Sequence, residues 1–119
     1  MPCGAGCTGK TTGGGEINVS NGVGSFGFVV QGGPAGQLEY QNHARSLNVH
    51  SVSITAFGIS GNSATFSGSC TKNDAACTFT VTVQDNGEPG KGVDKFTISV
   101  SGEPVEGGTI TKGNVQVHP

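Results

Sequence analysis

Glycine recurs so densely along this chain that a helix has almost nowhere to form. Few windows of about a dozen residues lack one, and each glycine inside a helix costs about 1 kcal/mol relative to alanine. There are 22 glycines and 5 prolines in 119 residues, near the level at which disorder competes with folding. Two features favour a folded chain. Only 12% of the residues are charged. The apolar residues also alternate with polar ones in runs rich in Thr, Val, Ile and Phe, which suit a pleated, half-buried surface. Disordered chains are typically charged and poor in β-branched residues. Glycine is therefore read as turn chemistry between short strands.

The period-2 runs can be followed in order. Glu16 to Val19 places Ile17 and Val19 on one face, and Ser20-Asn21-Gly22 then offers the positive φ of a tight hairpin. Ser25 to Val30 turns Phe26, Phe28 and Val30 inward. After a loop over Gly32 to Gly36, Leu38 and Tyr40 face in from a third strand. Leu47 to Ile59 changes parity: Leu47 and Val49 share one register, Val52 and Ile54 the other. A bulge or sheet-switching corner near His50-Ser51 reconciles them. Ser60-Gly61-Asn62 is a further turn. Ala64 and Phe66 alternate up to Cys70, and Phe79, Val81 and Val83 alternate down from Cys77. Phe96, Ile98 and Val100 follow, then Ile110, Val115 and Val117, with a turn or bulge at Lys112-Gly113-Asn114. About eight or nine short strands at this spacing predict an all-β fold, an antiparallel β-sandwich of jelly-roll or immunoglobulin-like type. The expected organisation is an N-terminal Cys/Gly segment over residues 1–8 and a single sandwich domain over 9–119.

The core of such a domain is thin, with six Phe, one Tyr and no Trp. Small domains of this kind often need staples, and four cysteines can supply them. Cys70 ends one predicted strand and Cys77 begins the next, so they face each other across a hairpin mouth, within reach of a disulfide. Closing that loop contributes about 2.5 kcal/mol in the chain-entropy model. Cys3 and Cys7 enclose Gly4-Ala5-Gly6, a segment flexible enough to close on itself. The alternatives are a four-thiolate zinc site, for which the spacing is loose, and free thiols. Paired cysteines imply an oxidising compartment, and so an extracellular or cell-surface location. No secretory leader reads in Met1-Pro2-Cys3, which makes a domain of a longer precursor the expectation.

Charge narrows the partners. The formal net charge is −2 and the six Lys and Arg are scattered singly, whereas nucleic acid and anionic membranes call for a basic patch. No run of about 20 apolar residues is present to span a membrane. The expected partners are neighbouring domains of a larger chain, or other copies joined through edge strands.

The richest candidate site is the loop Asp85 to Asp94. Asp85, Asn86, Glu88 and Asp94 place three carboxylates and an amide on a glycine-rich backbone, a donor set that suits calcium. It is not an EF-hand. The competing reading is a turn in which Asp85 and Asn86 bond nearby amides and Pro89-Gly90 reverses the chain. His43 and His50 sit near strand ends, and with His118 or a carboxylate they form a weaker transition-metal alternative. Against that, strand-end histidines commonly hydrogen-bond the backbone. A hydrolase is the least supported class: there is no G-x-S-x-G elbow, and no carboxylate pair is placed for glycosidase chemistry. The runs Gly13-Gly14-Gly15 and Gly32-Gly33 do not open a helix and are not phosphate cradles. Carbohydrate binding would normally use an exposed aromatic platform, and the one Tyr and most Phe read as core.

Several segments together resemble a recurrent module of secreted and cell-surface bacterial multidomain proteins. They are Gly9-Lys10, Gly13-Gly14-Gly15, Phe26-Gly27-Phe28, Leu38-Glu39-Tyr40 with His43, Val49-His50-Ser51 and Ala64-Thr65-Phe66-Ser67-Gly68. Asp85-Asn86-Gly87-Glu88-Pro89-Gly90, Asp94 with Phe96, and Gly113 to His118 complete the set. The resemblance runs from Gly9 to His118 and implies export, a β-rich fold and a non-catalytic appendage of the kind found alongside adhesin-like or anchoring domains.

Overall fold

The computed structural model describes residues 9–32, 34–87 and 91–118. Nine strands cover most of them: β1 (Lys10–Val19), β2 (Gly22–Gln31), β3 (Ala35–Asn42), β4 (Leu47–Ser60), β5 (Ser63–Lys72), β6 (Ala75–Gln84), β7 (Lys95–Val100), β8 (Glu106–Thr109) and β9 (Lys112–His118). No described residue is helical. Every pairing is antiparallel, and the order β8-β7-β6-β5-β4-β3-β2-β1-β9 is a meander until β9, which crosses to pair with β1.

The turns carry the residues that their geometry needs. Asn21 joins β1 to β2 at φ 66°, and Asn73-Asp74 join β5 to β6 at 46° and 71°. Asn and Asp tolerate this left-handed backbone better than other side chains.

Hydrogen bonding links all nine strands in one curled half-barrel, where the sequence predicts two separate sheets of a jelly-roll or immunoglobulin-like sandwich. The physical reason lies in β4. Its register with β5 slips twice, between Ser51 and Ser53 and between Ile54 and Ala56. Each extra residue bends the strand, so one strand turns the corner without breaking its ladder. The parity change read at His50-Ser51 is this bend. Val52 is the exception to the expected core: it falls at the bulge and is 67% exposed, while Ile54 returns inward.

Curling brings the inner faces of distant strands together. Phe26 of β2 stacks on Phe96 of β7 with ring centroids 4.1 Å apart, and Tyr40, Phe28 and Phe66 pack around them. The expected inward residues from Ile17 to Val115 are buried here, with Val19, Phe57, Ile59 and Val117 packed against their margin. Cys70 and Cys77 are direct cross-strand partners joined by a disulfide, their Cα atoms 4.9 Å apart. Cys3 and Cys7 lie outside the described residues.

Two stretches outside the period-2 runs are strand. β1 begins at Lys10 and includes Gly13-Gly14-Gly15, because β9 lies so close that a Cβ on Gly15 would sit 2.0 Å from the Lys112 carbonyl oxygen. β8 (Glu-Gly-Gly-Thr) has no apolar alternation to reveal it. No helix among the described residues is long and apolar enough to cross a membrane.

Candidate functional site

The described ends of the 85–94 loop, residues 85–87 and 91–94, lie at the seam of the curled sheet. β9 pairs with β1 on one side only, which leaves the N–H groups of Val115 and Val117 pointing outward. Asp94 and Asp85 meet them. Asp94 is fully buried; its Oδ2 accepts Val115 N–H at 2.9 Å, and its Oδ1 accepts Asn86 N–H at 2.7 Å and Gly87 N–H at 3.2 Å. Asp85 Oδ2 accepts Val117 N–H at 3.1 Å. Asn86 donates to the Val93 carbonyl and accepts from Asn62. The structure thus gathers Asp85, Asn86 and Asp94 of the proposed calcium set, while Glu88 lies outside the described residues. Both Asp94 oxygens and Asp85 Oδ2 accept backbone N–H groups, and a carboxylate used this way replaces the missing strand neighbour of an edge. Among the described residues, no three His, Cys, Asp or Glu side chains form a group able to hold a metal ion.

The histidines occupy the outer face. His43 Nε2 lies 3.0 Å from Ser25 Oγ, and His50 Nδ1 lies 3.8 Å from Glu39 Oε1, its cross-strand neighbour. The His50 and Glu39 side chains are each more than half exposed. A serine beside a histidine is two-thirds of a hydrolytic triad, but among the described residues no carboxylate hydrogen-bonds His43 to orient it.

A second polar cluster escaped the sequence reading. Tyr40 O–H donates to Glu106 Oε1 at 2.7 Å, Asn42 Nδ2 to Oε2 at 2.8 Å and Arg45 to the same oxygen at 3.2 Å. Arg45 also pairs with Glu103, which Lys72 approaches at 3.2 Å. These bonds strap the start of β8 onto β3 and the turn after it, and the loop before β8 onto that turn and the end of β5. Burial first, and then the Glu106 hydrogen bond, push the Tyr40 hydroxyl well above its ordinary pKa. The hydrogen bond from Arg45, and then that from Lys72, hold the Glu103 carboxyl below the usual carboxylate range. Tyr40 and Glu106 are 66 residues apart, and no local pattern pairs them.

The outer face of β2 and β3 carries a groove of about 600 Å³, lined chiefly by Ser25, Gly27, Val29, Gln37, Glu39 and Gln41. Its floor is Gly27, where a side chain would meet nothing within 4 Å. Gly14 of β1 is the direct partner of Gly27, so two adjoining positions on this face lack side chains. Glycine in a strand reads from sequence as a turn or a weak point, and only the register shows two of them side by side.

Comparison of the chain with protein-family models, with curated proteins and with solved structures finds no match.

Proposed function

We propose that this domain is a non-catalytic structural or adhesive module of a larger secreted or surface protein, held between neighbouring domains. The observation that carries this reading is the use made of buried polar groups. Thr11, Asn42 and Asp94 are all buried, and each is bonded across strands: Thr11 to the Gln116 carbonyl, Asn42 to Glu106 and Asp94 to Val115. Groups placed in this way hold a sheet closed, whereas catalytic groups face a cleft where substrate reaches them. The Cys70–Cys77 bridge suits an oxidising compartment. The face-to-face stacking of Phe26 and Phe96 supports a sandwich-like layering of the sheet's two halves. The likeness to secreted bacterial modules points the same way. The calcium alternative requires Asp85 and Asp94 to exchange backbone N–H donors for a cation.

Two measurements test the proposal. Protein secreted into an oxidising compartment should show no titratable thiol at Cys70 or Cys77 and no turnover on ester, amide or glycoside substrates. Turnover that disappears in His43→Ala or Ser25→Ala would replace the reading with a hydrolase.

A further inference from the structure

We infer that the groove over Gly27 is a binding site for a neutral or amino saccharide; this rests on the adhesive reading above and supplies its ligand. The floor is bare peptide. Gly27 lines the groove without a Cβ, and its register partner Gly14 beside the groove carries none either, so a flat ring can lie directly on the backbone of β2. Val29, 44% exposed, gives that ring an apolar wall for its C–H face. Along the other side, Gln37, Glu39 and Gln41 occupy alternate positions of β3 and share the outer face, about 6.6 Å apart. Each ends in a planar group with two polar atoms, an arrangement that matches adjacent hydroxyls, and the Ser25 hydroxyl faces them from β2. A flat ligand with an apolar face and a hydroxyl rim is a pyranose.

The other ligand classes fit less well. Glu39 is the one charged residue in the lining, so phosphates and uronic acids meet repulsion, while an amino sugar meets a partner. An extended peptide would need an open strand edge, yet β2 and β3 are laddered together from Gly24 to Gln31. Aromatic platforms are the usual device for sugars; here a side-chain-free floor provides the flat surface instead.

Gly27→Val makes the test clean. The added side chain points into open space from ordinary strand backbone, so the fold tolerates it, yet it occupies the floor. The full chain, labelled with nitrogen-15, is screened on an array of neutral and amino glycans and titrated with cellohexaose, mannohexaose and chitohexaose. Amide shifts confined to residues 25–29 and 37–41 are expected. Gly27→Val should weaken binding about tenfold or more, a loss of about 1.4 kcal/mol, at a melting temperature no lower than the parent's. Glu39→Gln should reduce any preference for the amino sugar. Silence on the array with no shifts up to about 10 mM overturns the inference; so does Gly27→Val binding as tightly as the parent. Either of those results leaves the non-catalytic reading standing, whereas cleavage of a bound oligosaccharide would overturn that reading and leave the site in place.

Discussion

Asp94 Oδ2 accepts the Val115 N–H at 2.9 Å, and through that bond the loop before β7 closes onto the outer edge of β9. The same carboxylate holds the two N–H groups of Asn86 and Gly87, so one buried side chain satisfies three backbone donors. Removing it leaves those donors without a partner, and unsatisfied buried groups are expensive. Asp94→Ala should lose on the order of 3–5 kcal/mol, measured by urea unfolding. Asp94→Asn keeps the shape and one acceptor oxygen and should fall between the two. A variant as stable as the parent would show that the seam does not depend on this residue.

Calcium has little to gain at the same loop while Asp85 and Asp94 serve as acceptors for backbone N–H groups. Melting in millimolar calcium and in chelator should therefore coincide, because only a ligand that prefers the folded state raises its stability. A calcium-dependent rise that Asp85→Asn abolishes would return the loop to the metal-binding reading.

Tyr40 governs the alkaline side of the stability profile. Its raised pKa means that it contributes stability fully present below the unfolded value of about 10 and lost as pH rises through the folded value. As the chain's one tyrosine, its phenolate absorbance can be followed directly. Ionisation should be delayed until the domain unfolds, and Tyr40→Phe should flatten the alkaline limb. A free titration near pH 10 in the folded state would refute the strap to Glu106.

Glu103 acts at the other end. Its depressed carboxyl, held by Arg45 and then Lys72, contributes stability above the unfolded value of about 4.3 and loses it as pH falls through the folded value. The acid limb of Glu103→Gln should be shallower than that of the parent, and salt should weaken the parent's effect because the pair lies at the surface. Identical limbs would mean that the pair contributes nothing.

The strand glycines separate into two kinds. Gly15→Ala places a methyl against the Lys112 carbonyl and should cost on the order of 2–3 kcal/mol as β9 shifts away. Gly27→Ala meets nothing and should gain a few tenths to about 1 kcal/mol by restricting the unfolded chain. Thermal melts of the two variants side by side decide this, and equal losses would contradict the difference in packing.

Much of the fold was legible because it is local. Alternation placed Phe26, Phe28 and Val30 on one face, and Phe79, Val81 and Val83 on another, without reference to anything distant. Asn21-Gly22 announced its turn by the φ it tolerates. β8 went unread because Glu-Gly-Gly-Thr has no apolar face to alternate. Of the candidate site residues, Asp85 and Asp94 do converge, but on β9, a partner that no spacing within the loop indicates, while Asn86 bonds Asp94.

The amino-acid sequence by itself determined the β character, the inward residues, the hairpin turns and the facing of Cys70 with Cys77, since each depends on neighbours within a few residues or one tight turn. Only the tertiary structure decided that the strands form one curled sheet, that Tyr40 meets Glu106, that Asp94 closes the seam and that Gly14 and Gly27 lie side by side. Those depend on how far the sheet bends at the two slips in β4 and on the register between strands, which side-chain alternation leaves undetermined because every shift by two residues preserves it.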